Sequence, residues 1–361
     1  MNQSINILYQ DSVRLLKELI AIPSFSKEES ATADSIEKFF QSKNIKANRY
    51  LNNIWVANQY FDETKPTILL NSHHDTVKPN KAYTLDPFSP IEKEGKLFGL
   101  GSNDAGGSLV SLLALFMYYY AAEDLTHNLI YAATAEEEIS GRNGIEALLP
   151  KLPAIAYGIV GEPTQMQMAV AERGLLVLDA VATGKPGHAA RNEGENALYK
   201  AIKDIQWIGD YQFDKVSDLL GPVKMTVTVI ETENKAHNVV PASCNFVIDV
   251  RVNECYSFAE IIHTIQSNLV SVIQPRSLRM KSSSIPLDHP LVQAGKQLGR
   301  IWYGSPTTSD KALMPFLTLK MGPGDSARSH SADEFIYLKE IEEGIQLYIS
   351  ILDLIILKHS T

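Results

Sequence analysis

The chain has 361 residues, 45% hydrophobic and 21% charged, an ordinary soluble globular mixture with room for two domains and a large core. Its formal net charge is −9 and it has no Lys/Arg-rich block, which argues against nucleic acid or an anionic membrane as a partner. Two cysteines, Cys244 and Cys255, are too few for a disulfide framework or a cysteine zinc knot; with neither a leader pattern nor a membrane-spanning run, a reducing, cytoplasmic setting is expected.

In chain order, apolar periodicity predicts helices over Ser12–Ile22 and Glu29–Lys43, then strands over Ile54–Tyr60 and Thr67–His73. A helix over Ala105–Ala122, a strand over Asn128–Ala135, a helix over Asn143–Leu149 and a strand over Tyr157–Glu162 follow. Such alternation predicts an α/β fold with a mostly parallel sheet covered by helices. Past Arg173 the order becomes strand Gly174–Thr183, helix Glu193–Ile208, strands Val223–Thr232 and Ala242–Val252, helix Ser257–Val272 and strand Leu278–Ser283. This β-α-β-β-α-β order is that of a ferredoxin-like α/β sandwich. Beyond Pro286 the first pattern returns with helix Leu291–Arg300, strand Phe316–Met321 and an amphipathic closing helix Lys339–Leu357. The expected organisation is a discontinuous domain of residues 1–172 and 285–361, with residues 173–284 inserted as a smaller domain.

Polar residues gather where the strands of the larger domain end. The run LLNSHHDTV carries His73, His74 and Asp75. Residues i and i+2 of a strand share a face, so His73 and Asp75 point one way and His74 the other. A metal-bound imidazole usually gives its second ring nitrogen to a carboxylate, which suits His73 with Asp75. Asp104, in GLGSNDAGG, sits near the start of a helix, where a capping role is the plain alternative. Glu136, Glu137 and Glu138 follow the strand NLIYAATA, and three adjacent carboxylates need a cation or solvent. Glu162 ends another strand in GIVGEPT, and His330 follows FLTLKM in GPGDSARSH. Each signal is weak alone. Together they place imidazole and carboxylate groups outside the carboxyl ends of strands, where open α/β sheets form their sites. Such ligands without thiolate suit zinc, cobalt or manganese.

These motifs (SHHDTV, GSNDAGG, TAEEE, GEPT, GKPGHA and GPG with a late histidine) resemble those of the M20 metallopeptidase and amidohydrolase family, over essentially the whole chain. The resemblance implies a zinc-exopeptidase-like catalytic domain and an inserted lid and dimerisation domain. It implies two divalent metal ions, zinc or cobalt, one held by His73 and Glu162 and the other by Glu138 and His330, with Asp104 shared and a cis peptide to Ala105. Asp75 would orient His73, and Glu137 would be the general base. The acidic run reads T-A-E-E-E where the family has T-x-D-E-E, so Glu136 stands for the aspartate and the second and third glutamates are base and ligand. Ala105 and His74 depart from common family residues without touching a ligand.

From the smaller domain the resemblance implies His188 as an oxyanion donor reaching the site of a second subunit. Asn238 and Arg251 would bind substrate, with Arg251 suited to a bidentate grip on a carboxylate. A salt bridge from Arg251 to a neighbouring acid is the alternative. The implied substrate is a small N-acyl amino acid. GLGSNDAGG, EEEISG, ATGKPGHAARNEG and HNVVPASC are similar to the acetylornithine deacetylase branch of arginine biosynthesis. Deacylation of N-succinylornithine, N-acetylcitrulline or succinyl-diaminopimelate, or a dipeptidase or carboxypeptidase activity, are the alternatives within the family, and a homodimer through the lid is expected.

Overall fold

The runs Thr67–His73 and Asn128–Thr134 are buried along their whole length, as strands covered on both faces must be. They pair in parallel, His73 opposite Thr134. Tyr157–Val160 lies parallel on the other side of Thr67–His73, and Leu317–Lys320 lies parallel beyond it. In a computed structural model that describes residues 4–191 and 193–357, these four strands form the middle of the main sheet. The outermost residues of the first expected domain, 1–3 and 358–361, lie outside the described residues. Antiparallel strands Asn48–Tyr50 and Asn53–Ala57 extend one edge.

The spatial order of the four parallel strands is second, first, third, fourth along the chain. The order therefore reverses between Thr67–His73 and Tyr157–Val160, the switch point where α/β sheets open a crevice. The pairing register brings the ends His73, Thr134, Val160 and Lys320 to the same edge.

Helix Gly107–Tyr119 is apolar all round and buried, as its sequence GSLVSLLALFMYY requires. Its Leu113 and Phe116 share one core with Leu15 and Leu16 of helix Ile5–Ile20, Tyr348 and Leu352 of helix Leu338–Ile356, and Ile68 and Leu70 of the sheet. Leu69 and Ile130 face the opposite side and pack on Ile145 and Leu148 of a short helix. Helices on both faces of a mainly parallel sheet make this the expected α/β architecture.

Several elements differ from expectation for local reasons. The first helix begins at Ile5 because the Ser4 side chain accepts the Ile7 N–H and caps it. The start of the expected Ala105–Ala122 helix is an irregular turn, Ser102–Gly106, in which Asp104 has φ −116° and ψ 99° and the Asp104–Ala105 peptide is cis. A three-stranded sheet of Ile91–Lys93, Lys96–Phe98 and Phe335–Tyr337 went unpredicted because each run is only three residues long.

The chain divides into two compact units, Met1–Val170 with Ser284–Tyr303 and Ser309–Thr361, and Ala171–Ser283 with Gly304–Thr308. The last five residues join the second unit because Ser305 and Thr308 hydrogen-bond the backbone of Arg173. The second unit is an antiparallel sheet in the order Lys224–Glu231, Ser243–Val252, Gly174–Thr183, Val272–Pro275. Helices Ala197–Asp210 and Phe258–Asn268 supply Ala201, Ile208, Ile261 and Ile265 to its core, the ferredoxin-like arrangement. Its last strand is Val272–Pro275 rather than Leu278–Ser283. The Asp204 carboxylate accepts the N–H groups of Val270 and Ser271, which halts the helix and turns the chain onto the sheet.

Candidate metal centre

At the carboxyl edge of the parallel strands seven predicted residues converge. His73, at a strand end and buried, points Nε2 at Asp104 Oδ1, 3.3 Å away. Glu137 Oε2 and Glu162 Oε1 each lie 4.0 Å from the same nitrogen. On the other side of Asp104, Oδ2 lies 3.8 Å from His330 Nε2, which is 3.0 Å from Glu138 Oε2. Asp104 thus presents one oxygen to each of two groups, His73 with Glu162 and His330 with Glu138. Ligand atoms of His73, Asp104 and Glu138, and of His73, Glu137 and Glu162, lie within 4.8 Å of one another, close enough for a cation.

The backbone explains how remote residues meet. Asp75 is buried and holds the acidic turn: its Oδ1 accepts the Glu137 N–H at 3.1 Å and its Oδ2 the Glu138 N–H at 3.2 Å. Ser26 Oγ donates to the same carboxylate at 2.6 Å. Toward His73, the Asp75 main-chain oxygen lies 3.0 Å from Nδ1 and the carboxylate 3.5 Å. Asp75 therefore orients the imidazole chiefly through its carbonyl, and its carboxylate fixes the two glutamates. His74 turns away, between Thr32 Oγ1 and the Asn52 carbonyl, and burial lowers its pKa to about 4.

The phase of the acidic run is set by Glu136. It adopts a left-handed conformation, φ 57°, and its carboxylate accepts from the main chain and side chain of Asn143, away from the cluster. Gly141 leaves room for this turn, since a Cβ there would lie 2.4 Å from Glu136 Cβ. Gly101, at φ +75°, makes the turn into the Asp104 loop, where a Cβ would meet Thr76 at 2.6 Å.

Electrostatics bear on what the cluster accepts. Burial pushes Glu162 up to about 8, against the pull of His73 and Lys320. Burial likewise lifts Glu137 well above the carboxylate range, with Glu162, Asp310 and Glu138 adding to it and His73 opposing. Glu138 is raised mainly by burial, with His330 opposing. The hydrogen bond to Glu138 raises His330 to about 9. Carboxylates crowded in a low-dielectric pocket gain from positive charge among them. The donors are carboxylate oxygens and imidazole nitrogens, so the residues present fit a pair of divalent ions of the zinc, cobalt or manganese kind.

Three sequence-predicted residues lie in the second unit. His188, exposed, sits on a two-residue strand opposite Val239, and its Nδ1 accepts the Ala190 N–H at 3.2 Å. The neighbouring Asn238 carbonyl accepts the Ala189 N–H at 3.0 Å. Arg251 donates to both oxygens of Asp249, at 2.8 and 3.1 Å, which is the in-strand salt bridge weighed as its alternative.

Sequence reasoning missed three buried acids around the centre. Glu334 accepts N–H groups of Gly101, Asn103 and Asp104. Glu29 accepts from Lys27, Asn52 and the Glu136 N–H. Asp310 accepts from Thr134 Oγ1, to which Asn71 Nδ2 donates. The available signal was an acid beside an apolar run (EFIY) or in a Ser/Thr-rich turn (TTSD).

Comparison with known proteins bears on the family and the fold. The sequence profile of peptidase family M20/M25/M40 matches residues 69–354. An acetylornithine deacetylase of Proteus mirabilis is 27% identical over 386 aligned positions, covering 95% of this chain and 96% of that protein. A succinyl-diaminopimelate desuccinylase of Ruegeria sp. is 26% identical over 269, covering 70% of this chain and 68% of that protein. Among solved structures, an M20 family metallo-carboxypeptidase of Sulfolobus solfataricus superimposes with a TM-score of 0.75 at 16% identity, covering 95% of this chain and 98% of the other. At that identity the likeness is one of fold.

Proposed function

Because the chain belongs to peptidase family M20/M25/M40 and is a hydrolase of that family, we propose that it removes the acyl group from an N-acyl amino acid, converting N2-acetylornithine to ornithine and acetate in arginine biosynthesis. The observation that carries the hydrolytic reading is Asp104, with one oxygen toward His73 and the other toward His330. For the substrate, the support is the near full-length likeness to a named acetylornithine deacetylase, where the desuccinylase likeness covers about two thirds.

In this reading His73 and Glu162 would hold one divalent ion, Glu138 and His330 the other, and Asp104 would contribute to both. When bound, the ions supply Lewis acidity toward an amide carbonyl and the water beside it. The rest is done by side chains of the chain itself. Glu137 Oε2 takes the proton of the attacking water and passes it to the leaving nitrogen, a shuttle suited to a carboxylate raised by burial. Asp75, through the N–H groups of Glu137 and Glu138, keeps the base and a ligand in fixed relation. His188 of a second copy donates to the oxyanion. Asn238 and Arg251 hold the substrate, Arg251 exchanging Asp249 for the substrate carboxylate.

A homodimer through the second unit is part of this proposal. Its edge strand Lys224–Glu231 exposes Val229 and Ile230, and helix Ala197–Asp210 exposes Tyr199 and Ile202. Apolar residues on an unpaired strand edge invite pairing with another chain. Two free cysteines are in keeping with a cytoplasmic setting. Among the described residues no helix is long and apolar enough to cross a membrane.

Steady-state kinetics on N-acetylornithine, N-succinylornithine, N-acetylcitrulline, succinyl-diaminopimelate and a dipeptide set, with zinc or cobalt added, test the substrate. The highest kcat/KM is expected on N-acetylornithine, with activity lost on chelation and restored by metal. A preference for the succinyl substrates moves the chain to that branch. Turnover of the dipeptides alone overturns deacylation.

A further inference from the structure

Besides Asp75, a further buried carboxylate, Glu334, hydrogen-bonds the loop that delivers Asp104 through both of its oxygens. Glu334 is 2% exposed. Its Oε1 accepts the Asn103 N–H at 2.8 Å and the Asp104 N–H at 2.9 Å, and its Oε2 accepts the Gly101 N–H at 3.2 Å. Its own carbonyl accepts the Gly99 N–H at 3.0 Å. The regular helix begins only at Gly107 and Asp104 has non-helical backbone angles; the loop's own turn bonds run from the N–H groups of Ser102, Gly106 and Gly107 to the carbonyls of Gly99, Gly101 and Ser102, while the N–H groups of Gly101, Asn103 and Asp104 go to Glu334. The Asn103 side chain is fixed as well, donating to the Asp325 carbonyl and accepting the Asp325 N–H, each at 3.0 Å.

The position of Glu334 in the chain adds to this. It lies four residues after His330, whose left-handed backbone, φ 58°, and carbonyl contact with Asn80 Nδ2 fix the turn between them. The intervening Asp333 accepts from Thr84 and Leu85 and touches no part of the Asp104 loop in these bonds. A buried carboxylate is costly unless hydrogen-bonded, and charge-assisted bonds to N–H groups are among the stronger ones. Here that strength is spent on three amides of one four-residue stretch.

The geometry assigns Glu334 the role of a positioning residue: through the Gly101, Asn103 and Asp104 amides it holds the Asp104 carboxylate between His73 and His330, ready for metal. It ties the placement of Asp104 to that of His330 through one short segment. The inference rests on the reading of Asp104 as a ligand shared by two ions.

The test uses full-length metal-free protein and two readouts, zinc affinity by competition with a chromophoric chelator and amide hydrogen exchange of residues 99–106. Glu334→Gln keeps the volume but cannot accept at both oxygens. It is expected to weaken zinc binding about 10- to 100-fold, the usual cost of losing an outer partner of a ligand. Exchange at 101–104 should speed up. Asp333→Asn, which loosens only the neighbouring contact, is expected to leave zinc affinity unchanged. Glu334→Ala should resemble Glu334→Gln; if it fails to fold, the isosteric variant carries the test. Wild-type affinity and exchange in Glu334→Gln would overturn the assignment, as would an equal loss in Asp333→Asn. Asp104→Ala separates the two layers: wild-type zinc binding in that variant sinks the metal-site reading itself, whereas its loss alongside an unaffected Glu334→Gln sinks only the role of Glu334.

Discussion

Glu137→Gln is expected to lower kcat by about 10²–10⁴-fold, the range that a positioned general base contributes. The amide has nearly the shape of the carboxylate and still leaves the N–H of residue 137 on Asp75 Oδ1. What it loses is the ability to take a proton from water at Oε2 and return it to the leaving nitrogen. The drop corresponds to about 3–5.5 kcal/mol of barrier. Zinc content measured on the same sample should stay at the wild-type level, since Glu137 lies beside the four acids and imidazoles proposed to hold metal with Asp104 and is not one of them. Near-normal kcat in Glu137→Gln assigns the base elsewhere; lost metal makes Glu137 a ligand. A matching Glu136→Gln variant is expected to keep its kcat far better, because the Glu136 carboxylate faces Asn143 and not the cluster.

Removing the shared ligand should cost more than removing any other. Asp104→Ala takes an oxygen from the His73 side and another from the His330 side. Zinc affinity should fall by more than the roughly 10- to 100-fold that outer partners cost, and hydrolysis with it. Stability gives an independent readout. An ion present at about 100 times its Kd adds about 2.7 kcal/mol to the folded state. Wild-type protein should therefore unfold at higher denaturant with zinc than with a chelator, and Asp104→Ala should show no such difference. Equal zinc-dependent stabilisation of both proteins contradicts a ligand role for Asp104.

Much of this centre can be read from the sequence, because its signals are local. Thr67–His73 and Asn128–Thr134 are apolar runs that end in polar residues, and strand periodicity alone separates His73 from His74. The family pattern then sets the phase of Glu136, Glu137 and Glu138, which spacing alone leaves open. What escapes are groups whose role depends on contacts across long stretches of chain. Glu334 meets amides more than 200 residues away along the chain, and the apolar run that follows it, EFIY, does not by itself separate a buried clamp from a solvated acid. The strand at Val272–Pro275 was hidden for a similar reason, since Asp204 on another helix ends the one before it. Asp75 is an intermediate case. Its closeness to His73 was visible, while its hold on the Glu137 and Glu138 amides required the fold.

The most direct measurement is anomalous X-ray diffraction at the zinc edge from crystals grown with excess zinc. Two peaks are predicted, one against His73 and Glu162 and one against Glu138 and His330, with an Asp104 oxygen on each. A single peak, peaks away from these five side chains, or none at all would contradict a two-metal centre at the ends of these strands.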